Sequence, residues 1–285
     1  MRSLLEKKIV GVSGTLYITF GVVGLILNIL LVYLGHRIPN RRLEIKYAML
    51  LATLDGLVPS VTIVVKSTFL LSGIDLRINT VTCSMIGAMN YILIFLSLLL
   101  VMLIAVERSC SVFSEQVPAW MWFTMWIYVA FYIGLIGYAA GNGYFVLTPA
   151  KTNCTPIAHH SPLSALVLAL FGASLCMFLL VTIGCYLRIL RFVLHAKREN
   201  QSHTSLPDVN TNSVTTRTIV ICTIYFLLIF PPAILLILLG TGIIQESLVV
   251  SLAISLMLFS ISFANPALVI FAHSIIFEQF TYILT

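Results

Sequence analysis

Two ionisable side chains, Asp55 and Lys66, interrupt the second long apolar run of the chain. They stand 11 residues apart, about three turns at ~3.6 residues per turn, so on a helix they share a face. A carboxylate or an ammonium in apolar surroundings is costly, and points to function by default. Asp55 requires polar company, and the residues at matching depth in other apolar runs are Asn28, Ser97, Ser262 and Asn265. Such an oxygen cluster suits a small hard cation such as Na⁺. It suits a purely structural hydrogen-bond network equally well. Lys66 offers a charge to a carboxylate or another acceptor on a small ligand. Its competing readings are an internal salt bridge to Asp75 or Glu246, or snorkelling of the ammonium to a headgroup layer. A third charged group, Glu107-Arg108, closes the third apolar run 25 residues after Cys83, a helical distance of ~37 Å.

Those residues need elements that cross a bilayer. Hydrophobic residues make up 60% of the 285 and charged residues only 9%, against about 25% charged in a soluble domain. A water-soluble enzyme is excluded, as are disordered, collagenous and disulfide-scaffold chains. The apolar stretches run over 12–34, 45–71, 80–112, 119–140, 163–193, 214–239 and 247–271. Each is too long and too continuous for a strand of a membrane barrel, so the expected fold is all-α: one domain over 1–285, a bundle of seven transmembrane helices. The polar stretch from Lys197 to Asn212 has no apolar periodicity and reads as a loop. Residues 273–280 carry apolar side chains at helical spacing, which predicts a short amphipathic helix along the membrane.

Lysine and arginine set the orientation. With the N-terminus outside, ten basic residues fall in inner segments and five in outer ones, Arg2, Lys7, Lys8, Arg77 and Lys151. The N-terminus is therefore expected outside and the C-terminus inside. The net charge of +6 is a topology signal and an attraction to anionic lipid, with no nucleic acid implied. In this orientation Cys83 and Cys154 alone of the six cysteines face the oxidising side, as a disulfide or as two free thiols. Asn153-Cys154-Thr155 is also a glycosylation sequon, with Pro156 and the adjoining cysteine set against its use. Prolines at 59, 231, 232 and 266 fall inside predicted helices, where each removes a hydrogen bond and bends the backbone.

The constellation resembles the rhodopsin-like (class A) G protein-coupled receptors across all seven helices. The residues that carry the resemblance are Asn28, Leu51-Ala52-Thr53-Leu54-Asp55, Cys83, Glu107-Arg108, Trp126 or Trp122, Cys154, the sixth-helix prolines and Asn265-Pro266. The resemblance implies a sodium-coupled network of Asp55, Ser97, Ser262 and Asn265. It also implies a switch in which Glu107 holds Arg108 at rest and the inner end of the sixth helix swings out to admit a heterotrimeric G protein. Tyr186, Phe226, Pro232, Asn265 and Pro266 join Glu107 and Arg108 as coupling residues.

The chain departs from the family pattern at Ser109 and Val269, each standing where the family carries Tyr, and at Phe230, standing where it carries Trp. These substitutions resemble divergent nematode serpentine chemoreceptors of the Srsx-like kind. That kinship implies a plasma-membrane receptor, in a sensory cilium if it serves chemoreception, able to form receptor oligomers. No Lys follows Lys197, which excludes a retinal Schiff base, and Asn90 stands where amine receptors carry an Asp, which disfavours an amine receptor.

By the same resemblance, a small molecule or short peptide binds between the outer halves of helices two, three, six and seven. Lys66, Asn90, Tyr91, Ile94, Phe230 and Ser255 line that pocket. A transporter or channel is the competing function, but the halves show no internal repeat and no acidic ring. Enzymatic activity is not expected, since all six His lie in loops or at helix ends.

Overall fold

Every one of the seven apolar runs is a helix in the computed structural model, which describes residues 2–38, 43–72, 79–148, 153–156, 161–200 and 211–272. The helices are α1 (Arg2–Arg37), α2 (Leu43–Ser72), α3 (Thr80–Val112), α4 (Ala119–Gly141), α5 (Pro162–Asn200), α6 (Thr211–Gly240) and α7 (Leu248–Ala272). Seven stretches within them are long and apolar enough to cross a membrane: Gly14–Arg37, Ile45–Val65, Thr80–Val112, Ala119–Gly141, Pro162–His195, Thr215–Gly240 and Leu248–Phe271. The third matches the expected 80–112 at both ends. The loop read over Lys197–Asn212 is shorter than expected, because α5 continues to Asn200 and α6 begins at Thr211. Polar residues of adequate helix propensity extend a helix already nucleated by its apolar part, and hydropathy alone misses them. The expected helix over 273–280 lies outside the described residues.

One element has no counterpart in the hydropathy pattern. Strands β1 (Phe145–Leu147) and β2 (Cys154–Pro156) pair antiparallel, with Leu147 opposite Cys154. The pair lies across the end of α3. Cys154 is joined there to Cys83 by a disulfide, with Cα atoms 5.5 Å apart. Gly87, about two turns into α3, makes this approach possible. A Cβ at that position would come within 2.5 Å of Phe145 Cδ1 and 2.7 Å of the Cys154 carbonyl oxygen.

Helix α3 is the axis of the bundle, buried along most of its length. Its start is fixed by Asn79, whose Oδ1 accepts the backbone N–H of Val81 at 2.9 Å. Aromatic rings bind it to its neighbours: Phe95 stacks on Tyr132 of α4 at 4.0 Å and meets Phe178 of α5 at 5.3 Å, while Tyr91 meets Phe171 of α5 at 4.6 Å and Phe145 of β1 at 5.6 Å. Ring pairs of this geometry contribute roughly 0.5–1.5 kcal/mol each beyond their area. Helix α4 buries only Val129, Tyr132, Ile136 and Ala139, a single stripe at helical spacing. Trp120, Phe123, Trp126 and Phe131 stand exposed on its other side, as a lipid-facing surface requires. Helices α5 and α6 touch backbone to backbone where Gly172 meets Ala233: an added Cβ would lie 2.6 Å from the Ala233 carbonyl oxygen.

Candidate functional site

At the disulfide end the helices part around a cleft with two adjoining lobes. One, of about 500 Å³, is lined by Asn90, Tyr91 and Ile94 of α3, Asn153 and Thr155 of the hairpin, and Ser255 of α7, among others. The other, of about 450 Å³, shares Tyr91, Thr155, Ile254 and Ser255 and adds Glu246, Ser251 and the α6 residues Leu236 and Leu239. Four of the six expected pocket residues, Asn90, Tyr91, Ile94 and Ser255, meet here.

Phe230 does not join them. It is 40% exposed and stacks on Phe226, itself 45% exposed, at 4.8 Å. The inward face of α6 reads Ile221, Tyr225, Ile229, Ala233 and Leu236, all buried. At ~100° per residue, neighbouring positions must then turn toward lipid. The two phenylalanines are therefore corrected from pocket and coupling positions to the outer surface of α6, and Ile229 is the residue that points inward before the prolines. The side chain of Lys66 lies outside the described residues. Asn153 is half-buried in the cleft wall, its backbone carbonyl bonded to the Thr148 N–H at 2.9 Å.

Below the cleft lies a buried polar cluster. Asn265 Nδ2 donates to Asp55 Oδ2 at 2.8 Å and to Ser97 Oγ at 3.1 Å. Ser97 also lies within hydrogen-bonding reach of the Asp55 carboxylate. Its oxygen accepts from Asn265, which leaves its hydroxyl hydrogen for the carboxylate. Asn28 Nδ2 ties α1 to α7 by donating to the Ser262 carbonyl at 3.0 Å, and to its own Gly24 carbonyl at 2.9 Å. Ser262 thus contributes backbone to the cluster. All five residues are at most 3% exposed. Two side-chain oxygens, Asn28 Oδ1 and Asn265 Oδ1, have no hydrogen-bond partner among the described residues. Buried carbonyl oxygens beside a carboxylate are the donor set a hard cation takes.

At the far end of α3, Arg108 lies within hydrogen-bonding reach of the Tyr186 hydroxyl on α5, and Glu107 is close enough to Tyr47 of α2 for the two to interact electrostatically. Pro232 and Pro266 are both buried. Three features here escaped the sequence reading. A cavity of about 310 Å³ opens beside Val269, lined by Tyr186, Tyr225, Ile221 and Leu268. Tyr225 of α6 lines that space beside Tyr186; its place on the inward stripe with Ile221 and Ile229 was the available signal.

Thirdly, Arg188 of α5 grips Glu115, just beyond α3, with two parallel bonds of 3.0 and 2.7 Å, while its guanidinium lies 4.0 Å over the Phe113 ring. The Arg188 guanidinium holds the Glu115 carboxyl below the usual Glu range. Both side chains are nearly half exposed.

The geometry joins a cleft at one end of a membrane-length bundle, a buried ionisable network in the middle, and an arginine-tyrosine contact at the other end. A family model described as 7 transmembrane receptor (rhodopsin family) matches residues 27–269. Comparison with curated proteins found no match.

Proposed function

The chain belongs to the rhodopsin family of seven-transmembrane receptors, and from that premise we propose that it carries a chemical signal from the cleft at the disulfide end to a heterotrimeric G protein at the Arg108 end. The observation that supports this reading is the placement of three polar groups along the bundle: Asn90 and Ser255 in the cleft, Asp55, Ser97 and Asn265 in the middle, then Tyr225, Tyr186 and Arg108 toward the far end. The signal is a small molecule or a short peptide, the role chemoreception, and the site of action the plasma membrane, with the N-terminus and cleft outside. Rhodopsin-family receptors are generally not enzymes, and membership does not favour a transporter or channel.

The switch acts on α6. Its prolines bend the helix, and its Arg108-end half faces the Val269 cavity. An outward swing of that half is a two-state change that a ligand shifts by binding one state more tightly. A sodium ion fits the central cluster as an allosteric ligand: Asp55, Ser97 and the free Asn265 Oδ1 would hold it, with Ser262 beside them, and it would supply a fixed positive charge.

The reading is tested by nucleotide exchange on a G protein mixture, with the chain reconstituted in lipid and challenged with a broad ligand panel. Ligand-stimulated exchange that disappears in Arg108→Ala is the expected result. Ligand-driven solute flux without exchange would sink the receptor reading.

A further inference from the structure

The cleft has a chemical bias, and it is toward cations. Glu246, two residues before α7, carries the one charge among the described residues lining either lobe. It lines the second lobe together with Tyr91 of α3. Burial pushes its carboxyl above the ordinary Glu value. Below it on α7, Ser251 is 4% exposed and its Oγ has no hydrogen-bond partner among the described residues; the same holds for Asn90 Oδ1 in the adjoining lobe. Leaving buried polar atoms unpaired is expensive in a stable fold. A carboxyl and an unpartnered serine oxygen in one lobe, with an unpartnered amide oxygen in the next, therefore mark where a ligand supplies the missing hydrogens.

We propose that this cleft binds a small organic cation, a protonated amine on an apolar body, with its ammonium on the Glu246 carboxylate and the Ser251 oxygen and a second donor reaching Asn90. The apolar body rests on Ile254 and Leu236. The ammonium of such a ligand donates three hydrogen bonds and accepts none, which matches an acceptor-lined pocket. The position on α3 that carries the acid in amine receptors is Asn90 here. The counter-charge comes from the approach to α7 instead. An anionic ligand would have to lie against the Glu246 carboxylate, which penalises it directly.

The proposal deepens the receptor reading, and its test reads binding alone, so the two can fail separately. The purified full chain in lipid nanodiscs is mixed with primary amines bearing aromatic or branched bodies. Tyramine, 2-phenylethylamine and isoamylamine are included, each paired with the alcohol and the carboxylate of the same skeleton, and thermal stabilisation is measured. Amines stabilise most, alcohols less and carboxylates least, with tyramine ahead of 2-phenylethylamine because its phenol supplies the second donor. Glu246→Gln weakens amine binding by about tenfold or more, as loss of a charge-assisted bond demands, and erases the preference for amine over alcohol. Ser251→Ala weakens it several-fold.

A second readout needs no ligand. Glu246→Gln in the free protein raises the melting temperature, because a buried carboxylate awaiting a partner is replaced by a neutral amide. A lower melting temperature means that Glu246 already pairs with a basic side chain of this protein, and overturns the proposal. Preference for carboxylates, or no stabilisation by any amine of the set, overturns it too. Amine binding without nucleotide exchange leaves the proposal standing and removes the receptor reading.

Discussion

The two ends of the bundle are held by different physics. At the disulfide end a covalent bond fixes the hairpin to α3, Gly87 lets the backbones touch, and Gly172 lets α5 and α6 do the same. Aromatic rings fill the space behind the cleft. At the Arg108 end the ion pair among the described residues is half in solvent, the cysteines at 110, 185 and 222 are free, and a cavity lies beside Val269. Opening free energies within one protein vary with local packing and solvent exposure of this kind. A ligand held by the rigid end and a partner admitted by the loose end is the division of labour a switch requires, since a pre-formed site loses little entropy on binding.

The comparison breaks first, if it breaks, at Gly172. A side chain there meets the Ala233 carbonyl and the Ile237 backbone nitrogen, neither of which can turn away. Gly172→Leu is expected to cost about 3 kcal/mol or more through overpacking, seen as loss of monodisperse protein and of amine binding together. Gly184, on the same helix nearer the Arg108 end, has nothing within 4 Å of an added Cβ, so Gly184→Ala should leave melting unchanged or raise it slightly by helix propensity. Equal damage at both positions would abolish the contrast. Next in size is Cys83→Ser, which releases a loop spanned by a sequence separation of 71. Loop entropy of that length is worth about 4 kcal/mol in the limiting case. The lipid-embedded helices hold the chain ends near one another in any case, so the measured loss should be nearer 2 kcal/mol, and it should affect ligand binding before G protein coupling.

The central network connects the two ends, and its variants should separate stability from coupling. Asn265→Ala strips hydrogen bonds from the Asp55 carboxylate and from Ser97. Leaving a buried charge short of donors costs on the order of 2–3 kcal/mol. Ligand-stimulated exchange should fall further than melting does. Tyr225→Phe keeps the ring and removes a hydroxyl from the wall of the cavity it shares with Tyr186. It should lower stimulated exchange several-fold at nearly constant melting temperature, whereas Tyr128→Phe, whose hydroxyl is bonded to Ser174, should not alter exchange.

How much of this was legible follows the range of each signal. Seven spans could be read because burying backbone in lipid forces long continuous apolar runs, and each run carries its own evidence. Asp55, Ser97 and Asn265 could be read because an ionisable group in such a run needs company, and few polar residues are available. Phe230 was misplaced because its position was taken from the resemblance and not from the helical phase: the buried stripe runs unbroken through the proline pair, and a shift of one residue turns the side chain about 100°, from Ile229 facing the core to Phe230 facing lipid. The hairpin was invisible because three-residue strands have no periodicity, and Gly87 acquires its meaning only once Phe145 and Cys154 stand over it. Glu246 entered the sequence reading only as a salt-bridge partner for Lys66. Its role depends on which side chains share its cavity, which no single segment records.

The smallest effect sharpens the comparison most. Arg188 joins α5 to the turn after α3 through Glu115 and the Phe113 ring, and Phe192 meets that ring at 5.1 Å. The pair is exposed, so its removal should barely move the melting temperature. It lies, however, at the end where helices must part. Glu115→Gln and Arg188→Gln should each raise basal nucleotide exchange by a small factor, about twofold, with the double variant no higher than either alone, since one interaction is lost in all three. Acid acts in the same direction. The folded state holds the Glu115 carboxyl below its ordinary range, so the pair is intact above the ordinary Glu pKa and is lost only as pH falls through the lowered value. Basal exchange should therefore stay flat down through the ordinary Glu range in the wild type. Salt should mimic the substitutions where acid cannot, because screening weakens an exposed pair without protonating it. Basal exchange insensitive to salt and to both substitutions would mean that the Arg108 end is held by its packing after all, like the end that binds.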